Sequence, residues 1–236
     1  MKNPDEFIVA LQAGAVTSAL AYLAEHPAGA TLILGHGAGA GQRSTFMVDF
    51  ARSLSSLGID VVTFNFLYTE QQRRIPDRGP ALEACYRAVI ETVRSQVDSA
   101  RRCLFIGGKS MGGRIATQVA AIDRQSPLAG LVLLGYPLHP PGRPEQLRDR
   151  HLPLVQRPML FVQGRRDAFG TPAELAPILE RVTPAPAVHV VDGDHSFTVS
   201  KKNPAAQAAV YAEIQQAIAA WIDGIRVSVP SRGPAA

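Results

Sequence analysis

The stretch that decides the fold is Cys103-Leu104-Phe105-Ile106-Gly107-Gly108-Lys109-Ser110-Met111-Gly112-Gly113. Its apolar first part predicts a buried strand, and residues 114–120 predict a helix. Between the two, Gly108-Lys109-Ser110-Met111-Gly112 fits the pattern Gly-x-Ser-x-Gly, whose glycines allow a turn too tight for side chains. Such a turn strains the serine and projects its hydroxyl outward. The pattern therefore predicts that Ser110 is a nucleophile.

A serine nucleophile needs a general base and a third group that orients this base. In enzymes with this kind of turn, the order along the chain is serine, acid, histidine. Asp167 follows the predicted strand 158–163, and His195 follows the predicted strand 188–191. The sequence therefore predicts that Ser110, Asp167 and His195 meet at one edge of one sheet.

His195 has two alternative acidic partners close by in the sequence. Asp192 and Asp194 lie within three residues of it, in Asp192-Gly193-Asp194-His195. Asp167 already stands at the carboxyl end of a strand, so it is favoured over both.

Acyl transfer also needs hydrogen-bond donors where negative charge develops. The backbone N–H of Met111, directly after the serine, is expected to be one of them. The predicted strand 31–34 leads into the loop Gly35-His36-Gly37-Ala38-Gly39-Ala40-Gly41, and Ala38 is expected to supply the second N–H. His36 shapes this loop and is a candidate substrate-binding residue. Tyr68, in the connection after the next strand, is the other candidate for lining the pocket.

Two nucleotide-binding patterns compete for the same glycines. A phosphate-binding P-loop requires a further glycine where this chain has Cys103. A dinucleotide-binding turn at Gly35-x-Gly37 requires an acidic residue at the end of the next strand, but that strand, 60–66, ends in Asn65-Phe66. Both patterns are therefore rejected, and the sequence predicts no cofactor. It also predicts no metal site, because no metal-ligand spacing is visible.

Charge and composition bound the class of protein. Lys and Arg number 24 against 20 Asp and Glu, and the basic residues occur as scattered pairs, so a nucleic-acid partner is not expected. The two cysteines, Cys85 and Cys103, are expected to be buried and reduced. The acidic start Asp5-Glu6 is unlike a secretory signal, and no long apolar run predicts a membrane span. A cytoplasmic protein without a membrane partner is therefore expected, acting on a small-molecule acyl substrate.

From residue 31 onward, apolar strands alternate with amphipathic segments, which is typical of a mostly parallel sheet covered by helices on both faces. An opening hairpin is expected at 7–11 and 16–23, although the second run also has helical character. A single domain is expected over residues 1–226, with a mobile tail at 227–236. The predicted helices span 45–57, 81–97, 113–123, 172–181 and 204–223, the last of them ending at Gly224.

The connection after the predicted strand 131–134 bears on access to the site. It contains Tyr136-Pro137-Leu138-His139-Pro140-Pro141-Gly142 and reaches the next strand within about twenty-five residues. A short, proline-rich segment of this kind cannot build a large helical cap. The sequence therefore predicts a minimal lid and an open site.

Four segments together resemble a family of α/β-hydrolases related to dienelactone hydrolases. They are the Gly-His-Gly-Ala-Gly loop, the serine turn, the segment 135–142 and Phe161-Val162-Gln163-Gly164-Arg165-Arg166-Asp167-Ala168-Phe169-Gly170. The family includes the hydrolase-like domains of a eukaryotic chromatin-complex subunit and of a testis-expressed protein. The resemblance implies an α/β-hydrolase fold over residues 31–221 and places the serine, acid and histidine on Ser110, Asp167 and His195.

The residues and the resemblance together predict a serine hydrolase that cleaves a carboxylic ester, with a thioester or an amide as alternatives. Dienelactone hydrolases commonly use a cysteine nucleophile, so Ser110 argues against dienelactone as the substrate. Two other hypotheses use the same fold: a binding or scaffold protein without chemistry, and an acyltransferase with the same triad.

Overall fold

The computed structural model describes residues 3–199 and 203–228. Within these residues eight strands form one sheet, in the order β1-β2-β4-β3-β5-β6-β7-β8. The strands are β1 (Asp5–Ala10), β2 (Val16–Tyr22), β3 (Thr31–Gly35), β4 (Asp60–Phe64), β5 (Leu104–Lys109), β6 (Leu128–Leu134), β7 (Met159–Gly164) and β8 (Ala187–Val191). The helices are α1 (Thr45–Ser56), α2 (Leu67–Glu70), α3 (Gly79–Gln96), α4 (Asp98–Arg102), α5 (Met111–Ile122), α6 (Pro172–Leu179) and α7 (Pro204–Ser228).

The sheet is mostly parallel, as predicted. β1 pairs with β2 and β2 with β4 in antiparallel orientation, which confirms the opening hairpin and shows that its second run is a strand. The other five pairings are all parallel. Because parallel strands end at the same edge, the residues that follow β3, β5, β7 and β8 are brought to one side of the sheet.

Helices cover both faces of the sheet because its central strands are apolar throughout. In β3, Ile33 belongs to the core beneath α3 and α5, whereas Leu32 and Leu34 belong to the core beneath α1 and α7. Alternate side chains of a strand point to opposite faces, so one apolar run serves both cores.

Several predicted helix boundaries were wrong by a few residues. α5 begins at Met111 rather than 113, α3 begins at Gly79 rather than 81, and α6 ends at Leu179 rather than 181. The predicted end of the last helix at Gly224 was wrong too, because α7 continues to Ser228 and takes in the first two residues of the expected tail. A glycine inside a helix costs only about 1 kcal/mol, so packing of the rest of the helix outweighs it. The remainder of the expected tail, 229–236, lies outside the described residues.

The connection between β6 and β7 carries no cap, as predicted. Its only regular element is a 3₁₀ turn at Leu152–Leu154. Cys85 and Cys103 are both buried and unpaired by disulfide, which confirms that expectation. In the described part of the chain, no helix has both the length and the apolar character that crossing a bilayer requires.

The contact between α5 and β3 leaves no room for a side chain at Gly112. A Cβ built on this residue would lie 2.1 Å from the carbonyl oxygen of Gly35. We expect Gly112→Ala to destabilise the fold by more than about 3 kcal/mol, since two backbones would have to separate. Urea unfolding would measure this loss.

Gly224→Ala is the matched control for this substitution. Gly224 is also helical, but a Cβ there would meet nothing within 4 Å. This variant should gain about 0.5–1 kcal/mol in the free energy of unfolding. If the two alanine variants unfold at similar urea concentrations, the close approach of α5 to β3 is wrong.

Candidate active site

Ser110 stands in a strained turn between β5 and α5. Its φ of 51° and ψ of −113° lie in a region that a residue with a side chain rarely adopts. The glycine two residues earlier, Gly108, has a φ of 154°, and a Cβ there would lie 2.3 Å from the carbonyl oxygen of Gly35. The turn therefore requires glycine at position 108, the first glycine of the Gly-x-Ser-x-Gly pattern. Ser110 itself remains partly exposed at the edge of the sheet.

The structure brings Ser110, His195 and Asp167 together in one hydrogen-bonded chain. The Ser110 hydroxyl lies 2.8 Å from Nε2 of His195. On the other side of the ring, Nδ1 lies 2.8 Å and 2.9 Å from the two carboxylate oxygens of Asp167. A carboxylate only accepts hydrogen bonds, so Nδ1 carries the proton and Nε2 is free to accept from the serine.

Asp167 is fully buried and fixed by donors on both oxygens. The backbone N–H of Phe169 donates to Oδ1 at 2.8 Å, and Nε2 of Gln163 donates to Oδ2 at 2.9 Å. Gln163 is held in turn by the backbone of Tyr136 and by the carbonyl of Gly170, which accepts at 2.6 Å. Because every polar atom here has a partner, the carboxylate has one orientation, which faces the histidine.

The proline-rich segment after β6 supports the same acidic loop. The backbone N–H of His139 donates to the carbonyl of Phe169 at 3.0 Å. A Cβ added to Gly170 would lie 2.7 Å from the Cβ of Leu138, so the two loops are in close contact. The segment that carries much of the family resemblance thus acts as a support for the loop that contains Asp167.

The two alternative acids are placed elsewhere. Asp192 is exposed and forms an ion pair with Arg166. Oδ1 of Asp194 accepts hydrogen bonds from the backbone N–H groups of Ser196 and Thr198, at 2.8 Å and 2.9 Å. Asp194 therefore holds the turn on which His195 stands, and Asp167 is the residue that contacts the imidazole.

Two backbone N–H groups next to Ser110 are available as donors. The loop after β3 passes directly beside the serine, since a Cβ on Gly37 would lie 3.7 Å from the Cβ of Ser110. Neither the N–H of Ala38 nor that of Met111 has an acceptor among residues 3–199 and 203–228. Both predicted donors thus have no acceptor in the described part of the chain, and their role as an oxyanion hole stays a prediction.

His36 lies inside the protein and contacts the backbone, and contact between this residue and a substrate stays a prediction. The ring is completely buried. Its Nδ1 lies 2.8 Å from the carbonyl of Gly37, while the N–H of Phe66 donates to Nε2 at 3.2 Å. Burial lowers the pKa of His36, although the hydrogen bond to Gly37 opposes this shift. A neutral His36 therefore connects the loop 35–41, called the donor loop below, to the backbone just after β4. This is the shaping role that the sequence also suggested.

Tyr68 lies beside an open groove next to the same loop. The groove has a volume of about 410 Å³ and is also lined by Gly39 and Ala40. The Tyr68 side chain is only 1% exposed, and its hydroxyl has no hydrogen-bond partner in the described part of the chain. Tyr68 thus contributes to the wall of the groove, and contact between this residue and a substrate stays a prediction.

Three residues of the site were not singled out from the sequence. Phe169 stacks on the His195 ring with centroids 4.1 Å apart, and Gln163 holds Asp167. Lys109 precedes the serine, and its Nζ donates to the carbonyl of His195 at 2.6 Å. Only Gln163 gave a local signal, because it is a polar residue at the end of a buried strand. Phe169 and Lys109 contact His195 from distant positions in the chain, so the sequence around them gave none.

Solved structures of several hydrolases share this architecture. A serine hydrolase without lid from Xanthomonas campestris superposes with a TM-score of 0.72 at 23% identity, covering 94% of this chain and 96% of its own. A dienelactone hydrolase from Anabaena variabilis gives 0.69 at 19% identity, covering 93% and 97%. The esterase domain of a Rhodothermus marinus protein gives 0.70 at 14% identity, covering 94% and 99%. At such low identities these likenesses establish the α/β-hydrolase fold alone, as predicted.

The family follows from the sequence itself. The model of one family matches residues 28–223, which contain the donor loop, the serine turn, the acidic loop and the histidine. By this match and by its fold, the chain belongs to the alpha/beta hydrolase domain family.

Proposed function

We propose that this protein is a serine hydrolase that cleaves a carboxylic ester through an acyl-enzyme on Ser110. The observation that carries the proposal is the continuous chain of hydrogen bonds from the Ser110 hydroxyl through His195 to the buried Asp167. Membership in the family supports hydrolysis as the reaction class, and the strained serine turn supports Ser110 as the nucleophile.

In the first half of the reaction, Nε2 of His195 takes the Ser110 proton while the serine oxygen attacks the ester carbonyl. Asp167 keeps the imidazole in the tautomer that can accept this proton and stabilises the imidazolium that results. The N–H groups of Ala38 and Met111 donate to the carbonyl oxygen as it becomes negatively charged. His195 then returns the proton to the leaving alcohol, and the acyl group remains on Ser110.

In the second half, a water molecule gives up a proton to His195 and attacks the acyl-enzyme. The acid is released and Ser110 recovers its proton. Thioesters and amides fit the same sequence of steps, and an alcohol in place of water would make the protein an acyltransferase. Water is favoured as the acceptor, because the connection between β6 and β7, which the structure describes in full, builds no cap that would keep water away from Ser110. Cytoplasmic residence and the likeness to the chromatin-complex and testis-expressed proteins stay predictions from the sequence.

A fluorophosphonate probe tests the proposal because it reacts covalently only with an activated serine. We expect labelling of the wild type at Ser110, located by mass spectrometry of the digested protein, and loss of labelling in His195→Ala, which keeps the serine but removes its base. Folded wild-type protein that resists the probe would instead support a binding or scaffold protein. If the probe labels a different serine, the assignment of Ser110 is wrong.

A further inference from the structure

The strand that delivers Ser110 also holds the loop that carries its base. Lys109 is the last residue of β5, and its ammonium donates to the backbone carbonyl of His195 at 2.6 Å. The two residues are 86 positions apart, so this contact joins the central strand directly to the turn after β8. The bond is made to the backbone of His195, so it leaves both ring nitrogens free for Ser110 and Asp167.

An aromatic ring and a glycine surround the Lys109 ammonium. Its Nζ lies 5.4 Å from the centre of the Phe197 ring, which is completely buried two residues beyond the histidine. A Cβ on Gly135 would lie 3.0 Å from Nζ and 3.0 Å from the carbonyl oxygen of His195. The absence of a side chain at Gly135 therefore leaves the space in which the ammonium reaches the carbonyl.

The charge of Lys109 is not compensated by a direct ion pair. Among the described residues no carboxylate lies within 4.0 Å of its ammonium. The charged and titratable groups that face it are Asp167 and Asp194, together with the adjoining His195 ring. Burial lowers the pKa of Lys109 to about 8, and the two aspartates only partly oppose this shift.

A lowered lysine pKa means that the folded state pays for keeping the charge. The unfolded chain binds the proton more tightly, so this cost is fully present below pH 8 and is relieved as the pH rises toward 10.5. The Lys109 ammonium is held at the His195 carbonyl in spite of this cost.

We propose that Lys109 is a positioning residue that fixes the His195 backbone so that the imidazole stays between Ser110 and Asp167. The proposal rests on the proposed function, because it assigns Lys109 a role in the same reaction. The ammonium contacts neither the serine oxygen nor the substrate in this account. It joins the central strand to the histidine turn, and Phe169 separately stacks on the His195 ring.

Lys109→Met tests the proposal, since methionine fills similar space without a donor or a charge. We expect kcat for a 4-nitrophenyl ester to fall roughly 10- to 100-fold, as displacements of about 1 Å at a reacting group do. KM should change less than about threefold, because no substrate contact is lost. The rate of fluorophosphonate labelling at Ser110 should fall with kcat. The melting temperature at pH 7 should not fall below that of wild type, because the variant loses the cost of the buried charge together with the hydrogen bond. The difference should shift in favour of wild type as the pH rises from 8 to 10.5.

Arg157→Met is the matched control. Arg157 also donates to two backbone carbonyls, those of Arg124 and Ser126, but at the other edge of the sheet. This variant should keep wild-type kcat. Lys109→Leu, which also has neither a donor nor a charge, replaces the methionine variant if the latter does not fold. A folded Lys109 variant with kcat and labelling rate within about twofold of wild type overturns the proposal, as does a loss of kcat that merely follows a loss of folded protein.

The proposed function and the role of Lys109 fail in different ways. Absence of turnover and labelling in the wild type would count against the hydrolase. The position of the histidine is then read from the NMR signal of its Nδ1 proton, which the hydrogen bond to Asp167 moves far downfield. Loss or faster exchange of this signal in Lys109→Met supports the positioning role, and an unchanged signal overturns it.

Discussion

Ser110→Ala is expected to lower kcat for any ester that the wild type hydrolyses by about 10⁶-fold, the loss seen when a triad serine is removed from a well-studied hydrolase. The expected loss is this large because the hydroxyl is the group that becomes acylated, and His195 has nothing to activate without it. Residual turnover would come from the N–H donors and from substrate binding alone. Steady-state hydrolysis of a 4-nitrophenyl ester by freshly purified variant would measure the loss.

The control must show that the fold survives. Ser110 lies at the exposed edge of the sheet and its hydroxyl contacts His195, so alanine should leave the melting temperature within a few degrees of wild type. Ser126→Ala removes a serine hydroxyl before β6, at the opposite edge, and should keep full activity. If Ser110→Ala retains more than about one hundredth of wild-type kcat, another nucleophile does the chemistry.

The predictions that succeeded rest on a short-range pattern combined with one topological rule. The serine turn is encoded by adjacent residues, because only glycine fits at Gly108 and Gly112. The positions of Asp167 and His195 follow from the rule that parallel strands end at one edge of the sheet. The fold and the members of the candidate triad could therefore be deduced before any contact was known.

Other features depend on contacts that no local pattern reveals. The His36 ring is buried and accepts a hydrogen bond from the backbone N–H of Phe66, and a Gly-His-Gly loop gives no sign of that partner. The acceptor of Lys109 is a main-chain carbonyl, which every residue possesses, so sequence cannot single it out. The end of α7 was misplaced for a similar reason, since Gly224 is a helix terminator only when tertiary packing does not continue the helix.

Asp167→Asn should reduce kcat by about 10⁴-fold, the effect of the same change in a hydrolase whose triad geometry stays intact. An amide at this position can donate to Nδ1 of His195, which favours the tautomer with the proton on Nε2. That tautomer cannot accept the proton of Ser110. Hydrolysis kinetics for the variant and the wild type at equal folded concentration would measure the loss.

This substitution should also destabilise the fold, for a reason specific to this site. Both oxygens of Asp167 accept hydrogen bonds, one from the N–H of Phe169 and the other from Gln163. An amide has only one acceptor, so either orientation sets its NH₂ group against a buried donor, at a cost of about 1–3 kcal/mol. Asp194→Asn is the matched control, because only Oδ1 of Asp194 accepts from the turn and an amide oxygen can replace it.

The pair of variants decides which acid serves His195. Asp194→Asn should keep kcat within about tenfold of wild type and lose little stability, whereas Asp167→Asn should lose both. The reverse result would mean that the histidine turns toward Asp194, the residue directly before it in the chain, and that the buried Asp167 carboxylate only supports the loop. Equal losses in both variants would mean that the two aspartates act together on the turn, and the hydrogen bond from Nδ1 to Asp167 would no longer explain the tautomer.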